Sequence, residues 1–142
     1  MLALEGFGFE PPAGFRTEEV TVGLRFGLPG AGPGPSFMLQ SKAARTGAKF
    51  EELVQETMVE LAQTVGKLKN LTNNEITFTD GGKGAVLAYD FPTHAGELRQ
   101  YFVMRLEKGR LCNITLTIPT ASLTETNATN FMKAITSLKA TS

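Results

Sequence analysis

Few side chains in this sequence could do acid–base or covalent chemistry, and they are scattered. His94, in the stretch FPTHAGE, is the lone histidine, and Cys112 is the lone cysteine. A general base needs an orienting partner and a nucleophile within hydrogen-bond reach, and no spacing here supplies either. His94 therefore reads as an exposed loop histidine. One His and one Cys without paired spacing do not make a metal site. Cys112 falls on the apolar side of an alternating segment and reads as a buried structural thiol. It cannot close an internal disulfide, which fits a reducing compartment. Glu75, Asp80, Asp90 and Glu97 fall near strand ends, where solvated carboxylates are ordinary. The run Thr79-Asp80-Gly81-Gly82-Lys83-Gly84 has the glycines of a phosphate loop. It lacks the longer glycine spacing, the Ser or Thr after the lysine and the helix that follows, so it reads as a hairpin turn. The expectation is a protein that is not an enzyme, with no cofactor and no metal.

What, then, do the remaining residues build? At 142 residues the chain has the length of one ordinary domain, covering 1–142. Apolar residues make up 42% and charged residues 20%, enough for a packed core. Lys plus Arg number 14, as do Asp plus Glu. That balance argues against broad capture of nucleic acid or of anionic membrane. No apolar run approaches the ~20 residues that cross a bilayer, so no membrane insertion is expected. The N-terminal MLALEGFGFEPPAGF carries neither a basic region nor an apolar stretch of signal-peptide length. A cytoplasmic protein is expected, and the Asn-x-Thr triplets at Asn70, Asn113 and Asn127 then read as chance.

The apolar pattern predicts the elements. Phe7 and Phe9 share one side of an extended segment, ended by Pro11, Pro12 and Gly14. Val20, Val22, Leu24 and Phe26 recur at period two, which predicts a strand. A second strand covers SFMLQSK from Ser36. Between them, FGLPGAGPGPSF reads as a long hairpin loop and an adaptable lip, not a tether between domains. Phe50, Leu53, Val54, Thr57, Met58, Leu61, Val65 and Leu68 form one helical stripe over 48–69, with Val59 alone on the polar face. Glu51 and Glu52 then sit in the first turn, and Lys67 and Lys69 in the last. EITFTD and KGAVLAYDF form a hairpin about Asp80-Gly81-Gly82. A second hairpin runs from Glu97 to Pro119 and turns near Glu107, Lys108 and Gly109. A last helix covers about 124–139, with Ala128, Phe131, Met132, Ile135 and Leu138 inward. The order is β-β-β-α-β-β-β-β-α, an α+β domain with a mainly antiparallel sheet and two main helices packed on it.

By parity, Val20, Val22, Leu24 and Met38 are expected on one side of the sheet, and Phe37 and Leu39 on the other. Both faces of this sheet are apolar or neutral. Two outcomes stay open: a face left partly bare for an apolar partner, or both faces covered by the protein's own helices or by a homodimer.

Five stretches, in order, resemble the DcrB-like family, which includes the Eag chaperones of type VI secretion. They are Pro12-Ala13-Gly14-Phe15 with the strand at 20–26, then Ser36-Phe37-Met38-Leu39-Gln40-Ser41, then Phe50 opening a helix with Leu53 and Val54. Gly84-Ala85-Val86-Leu87 before a Tyr/Asp pair is the fourth. Leu98-Arg99-Gln100-Tyr101-Phe102, similar to that family's L-R-Q-x-F strand, is the most specific. Three places depart from the family's pattern: Phe15 in place of a frequent Trp, the glycine-rich 27–35 loop, and Gly96.

The resemblance implies a PsbP-like fold, a twisted, mainly antiparallel sheet of about six or seven strands. For its Eag-type members it implies a bacterial, cytoplasmic and often homodimeric chaperone or adaptor. Such a protein shields hydrophobic transmembrane segments of a secreted effector in a concave sheet groove. On that footing the partner-binding groove is expected from Val20, Val22, Leu24, Met38, Gln40, Thr57, Leu61, Val65 and Gln100. Gln40, Thr57 and Gln100 would satisfy small polar residues on a membrane helix, and Met38 would accept varied apolar shapes. The alternative is a PsbP-like binding or structural module, envelope-associated, with no helix client.

Overall fold

The computed structural model describes residues 2–4, 7–10, 13–14, 19–25 and 35–141. Strands β1 (Leu2–Leu4) and β2 (Phe7–Phe9) pair with each other in a small antiparallel ladder. The main sheet has six strands: β3 (Glu19–Arg25), β4 (Ser36–Ala43), β5 (Lys69–Thr77), β6 (Lys83–Thr93), β7 (Gly96–Glu107) and β8 (Arg110–Pro119). Its order is β3-β4-β8-β7-β6-β5, and every pair of neighbours is antiparallel. Helix α1 (Phe50–Thr64) joins β4 to β5, and α2 (Glu125–Thr136) follows β8 after a short 3-10 turn at Thr120–Ser122. The protein is an α+β domain with two helices on a six-stranded antiparallel sheet.

Local chemistry explains the turns. At the β5–β6 turn Asp80 accepts a hydrogen bond from the Gly82 N–H at 3.0 Å, and the Phe78 N–H donates to the Gly82 carbonyl at 2.8 Å. Gly81 there has φ +89°, where a side chain would be strained. The β7–β8 turn places Lys108 and Gly109 at positive φ in the same way.

The helices sit on opposite faces of the sheet. Leu53 and Val54 of α1 pack on Ala85, Leu87, Met104 and Leu111 of the sheet, with Phe50, Met58, Leu61 and Phe102 against them. Ile135 of α2 packs on Ile76, Phe78, Val86, Val103, Ile114 and Leu116, with Phe37, Leu39, Tyr101 and Phe131 against them. All eight residues of the expected α1 stripe are buried or half-buried, while Val59 is exposed. Helix α2 is capped by the Thr124 hydroxyl, which accepts from the Asn127 N–H at 3.1 Å. Ala128, Phe131 and Ile135 match the expected stripe; Met132 is exposed, and Leu138 packs on the same core from beyond the helix, which ends at Thr136 and not near 139.

Two expectations are corrected. Helix α1 ends at Thr64, short of 69. Val65 is extended, Lys67 has φ +56°, and Lys69 opens β5 by pairing with Asp90. The Lys69 ammonium sits 2.5 Å from Glu97 and does not face the helix terminus. The second correction is register. Leu24 pairs with Phe37, Val22 with Leu39, and Gly23 with Met38. Directly opposed residues share a face, so Val20, Val22 and Leu24 lie with Phe37 and Leu39 on the α2 face. Met38 lies on the α1 face. The expected single face was out by one residue, and a one-residue slip exchanges every side chain between faces.

Buried charge is paired. The Arg105 side chain is 4% exposed and holds both Asp80 oxygens, at 2.9 and 2.8 Å, and the Leu138 carbonyl at 3.0 Å. Its guanidinium lies 4.8 Å from the Phe78 ring centroid. The Ala140 N–H donates to Asp80 at 3.1 Å, so the segment after α2 is tied to the β5–β6 turn. Near the other end of the sheet, Asp90 pairs with Arg99 and accepts from Asn70 at 3.0 Å.

Candidate functional site

Helix α1 covers the α1 face only in part. Toward the β3–β4 edge a shallow hollow of ≈ 430 Å³ is left open, floored by Ser36, Met38, Gln100, Thr115 and Thr117 and bordered by Gly23, Leu24, Arg25 and Phe37. The register explains it. Met38 faces Thr115, which faces Phe102, and Ser36 faces Thr117, which faces Gln100. Short hydroxyl side chains on β8 alternate with its buried Ile114, Leu116 and Ile118, so the α1 side of this strand is low and polar. Met38 stands beside it at 52% exposure.

Gln100 is held from both sides. Its amide N–H donates to the Thr117 hydroxyl at 2.8 Å, and its carbonyl accepts from the Tyr89 hydroxyl. Tyr89 is fully buried, and burial pushes its phenol up to about 12, so it acts as a fixed donor at neutral pH. Gln100 thus keeps one amide hydrogen and one lone pair for anything in the hollow. Gln40 donates to Glu19 across the β3–β4 pair. Thr57 donates back to the Leu53 carbonyl at 2.8 Å, four residues earlier in α1. Next to Gln40, the Asn113 carboxamide oxygen is buried with no hydrogen-bond partner among the described residues.

The expected groove residues therefore separate into two sets. Met38, Gln40 and Gln100 share the α1 face of the sheet, the face carrying the helix that bears Thr57 and Leu61 and is followed by Val65. Leu61 packs on the core under α1, and half-buried Val65 ends the helix, its N–H on the Leu61 carbonyl at 2.9 Å. Val20 and Val22 are half-buried, and Leu24 is 43% exposed, with their side chains on the other face. Thr115, Thr117, Ser36 and Arg25 were not among the expected residues. The signal for the threonines was the alternation Asn113, Thr115, Thr117 against the apolar side of the same strand. Of the lip expected over FGLPGAGPGPSF, residues 26–34 lie outside the described residues, and Ser36 and Phe37 belong to β4.

The hollow suits apolar groups that carry a few hydrogen-bonding atoms. Arg25 is the one charged residue among its described lining residues. His94 is exposed in the β6–β7 turn and is not among the lining residues. Cys112 is half-buried on the α2 face, where burial pushes its thiol up. Among the described residues no group of three or more His, Cys, Asp or Glu side chains is placed to hold a metal. No helix among them is long and apolar enough to cross a membrane.

No family model and no curated protein matches this chain. Among solved structures it is similar to PA94 from Pseudomonas aeruginosa, a protein of unknown function and candidate regulator. The two share 18% identity and a TM-score of 0.78 over 99% of this chain and 96% of that one, a likeness of fold.

Proposed function

We propose that the protein is a non-catalytic chaperone or adaptor whose hollow beside α1 shields an apolar helix of a partner. The observation that carries this reading is the half-exposed Met38 beside a floor of Thr115, Thr117 and Gln100 that α1 leaves bare. A membrane segment in water exposes ~20 apolar residues and aggregates. A sheet face with a methionine wall and hydroxyl floor offers it both apolar cover and hydrogen bonds, in the helix-in-groove mode. The resemblance to the DcrB-like family supports the same reading. It suggests a hydrophobic transmembrane segment of a type VI secretion effector as the client, a homodimer as the working form and the cytoplasm as the compartment.

The register changes which residues test it. Co-expression with a membrane-segment peptide should give a soluble complex. Met38→Asp should abolish that complex, and Met132→Asp, on the exposed side of α2 and outside the hollow, should leave it largely intact. Loss with Met132→Asp and retention with Met38→Asp would overturn the placement.

One observation favours a second reading, a PsbP-like binding or structural module with no helix client. Gln40, Thr57 and Gln100 each already make a hydrogen bond inside the protein. On that reading the peptide does not co-purify at all.

A further inference from the structure

We propose a second, separate site: the cavity between the β7–β8 turn and the C-terminal segment binds a small oxyanion of the phosphate type. The cavity measures ≈ 280 Å³ and lies on the α2 face, away from the hollow beside α1. Among its described lining residues, Arg105, Lys108, Arg110 and Lys139 stand against one carboxylate, Glu107. In a chain whose net charge is zero, that is a local concentration of positive charge.

The sheet register builds the site. Ser41, Cys112 and Arg105 lie side by side across β4, β8 and β7, and in the next row Arg110 faces Glu107. Residues 138–141, tied down through Asp80 and Arg105, form the far wall. Asp80, the Leu138 carbonyl and the Phe78 ring fix the Arg105 guanidinium in place. Those contacts use its two terminal nitrogens. Its Nε is buried and makes no hydrogen bond among the described residues; its neighbour is Glu107 Oε2, an ion pair at 3.6 Å. A donor held only by a long ion pair is better satisfied by an acceptor at hydrogen-bond distance. Arg110 is oriented across the same space, its Nε donating to the Ser41 hydroxyl at 3.1 Å. The Cys112 thiol is kept neutral by burial and adds no opposing charge. Glu107, 46% exposed, is the group an incoming anion displaces. Oriented guanidinium groups with ammonium groups nearby match the tetrahedral oxygens of a phosphate.

The test is an amide NMR titration of the full chain with inorganic phosphate and, separately, with glycerol phosphate, using chloride as the ionic-strength control. Saturable shifts are expected at Ser41, Arg110, Cys112 and residues 138–141, with a Kd on the order of 1 mM. Arg110→Gln should weaken binding about tenfold, and Glu107→Gln should tighten it several-fold by removing the competing carboxylate. Both substitutions leave the Arg105–Asp80 pair in place, so the spectrum of the folded protein is a built-in control. Tighter binding of the ester identifies a phosphorylated metabolite as the source, and equal binding identifies free phosphate. Shifts that chloride reproduces, shifts that do not saturate, or a Glu107→Gln protein that binds no better would each overturn the proposal.

Discussion

The link between Tyr89, Gln100 and Thr117 lies under the proposed client surface, and it can be taken apart quantitatively. Tyr89 is fully buried, and its hydroxyl donates to the Gln100 carbonyl. Tyr89→Phe removes one donor and leaves Gln100 half-exposed with water in reach, so it should cost about 1 kcal/mol, the net value of one such bond. Gln100→Leu is asymmetric. It leaves the Tyr89 hydroxyl buried with no acceptor, which costs about 1–3 kcal/mol. The double variant removes donor and acceptor together, so its cost should fall about 1 kcal/mol below the sum of the two single costs. Urea unfolding followed by circular dichroism measures all four proteins, with an unchanged m-value confirming that only stability moves. If the single costs add to within about 0.3 kcal/mol, the two side chains do not interact as described, and Gln100 is free to serve a client.

Three further outcomes are expected. A Cβ at Gly84 would sit 2.3 Å from the Met104 carbonyl oxygen and 2.8 Å from the Phe78 ring. Gly84→Ala should therefore cost about 3 kcal/mol or more by overpacking, whereas Gly66→Ala, with no atom within 4 Å of its Cβ, should be close to neutral in the same urea series. Asp80 is held well below the ordinary carboxylate range by Arg105 and by the Gly82 and Ala140 N–H groups, and Asp90 is held low by Arg99 and Asn70. Folded values below the unfolded value of about 4 give stability that is fully present above it and lost as pH falls through the folded values. The urea midpoint should hold from pH 7 to about 5 and then decline, and a flat profile down to pH 2 would contradict both pairings.

Much of this fold is legible in local chemistry. Asp80-Gly81-Gly82 announces its turn because the side-chain oxygen and the positive-φ glycine are both local requirements. The α1 stripe is legible because all its members meet one core. The end of α1 is not. Gly66 and left-handed Lys67 break the helix, and β5 opens on Lys69, Asn70 and the bulge before Thr72. As an edge strand β5 buries only Ile76, so its alternation is faint. The β3–β4 register is hidden for a different reason. The sequence between the two strands carries no alternation, and parity counted across such a stretch can be off by one. The pairs Asp80–Arg105 and Tyr89–Gln100 join residues 25 and 11 positions apart, contacts that exist only once the strands are aligned.

The most direct measurement of the central claim is photo-crosslinking of a co-expressed membrane-segment peptide from single positions on the two faces. A photoreactive residue replacing Met38 or Thr115 should capture the peptide, and one replacing Val22 or Met132 should not. Capture from Val22 and Met132 but not from Met38 and Thr115 would place the client on the α2 face and contradict the account.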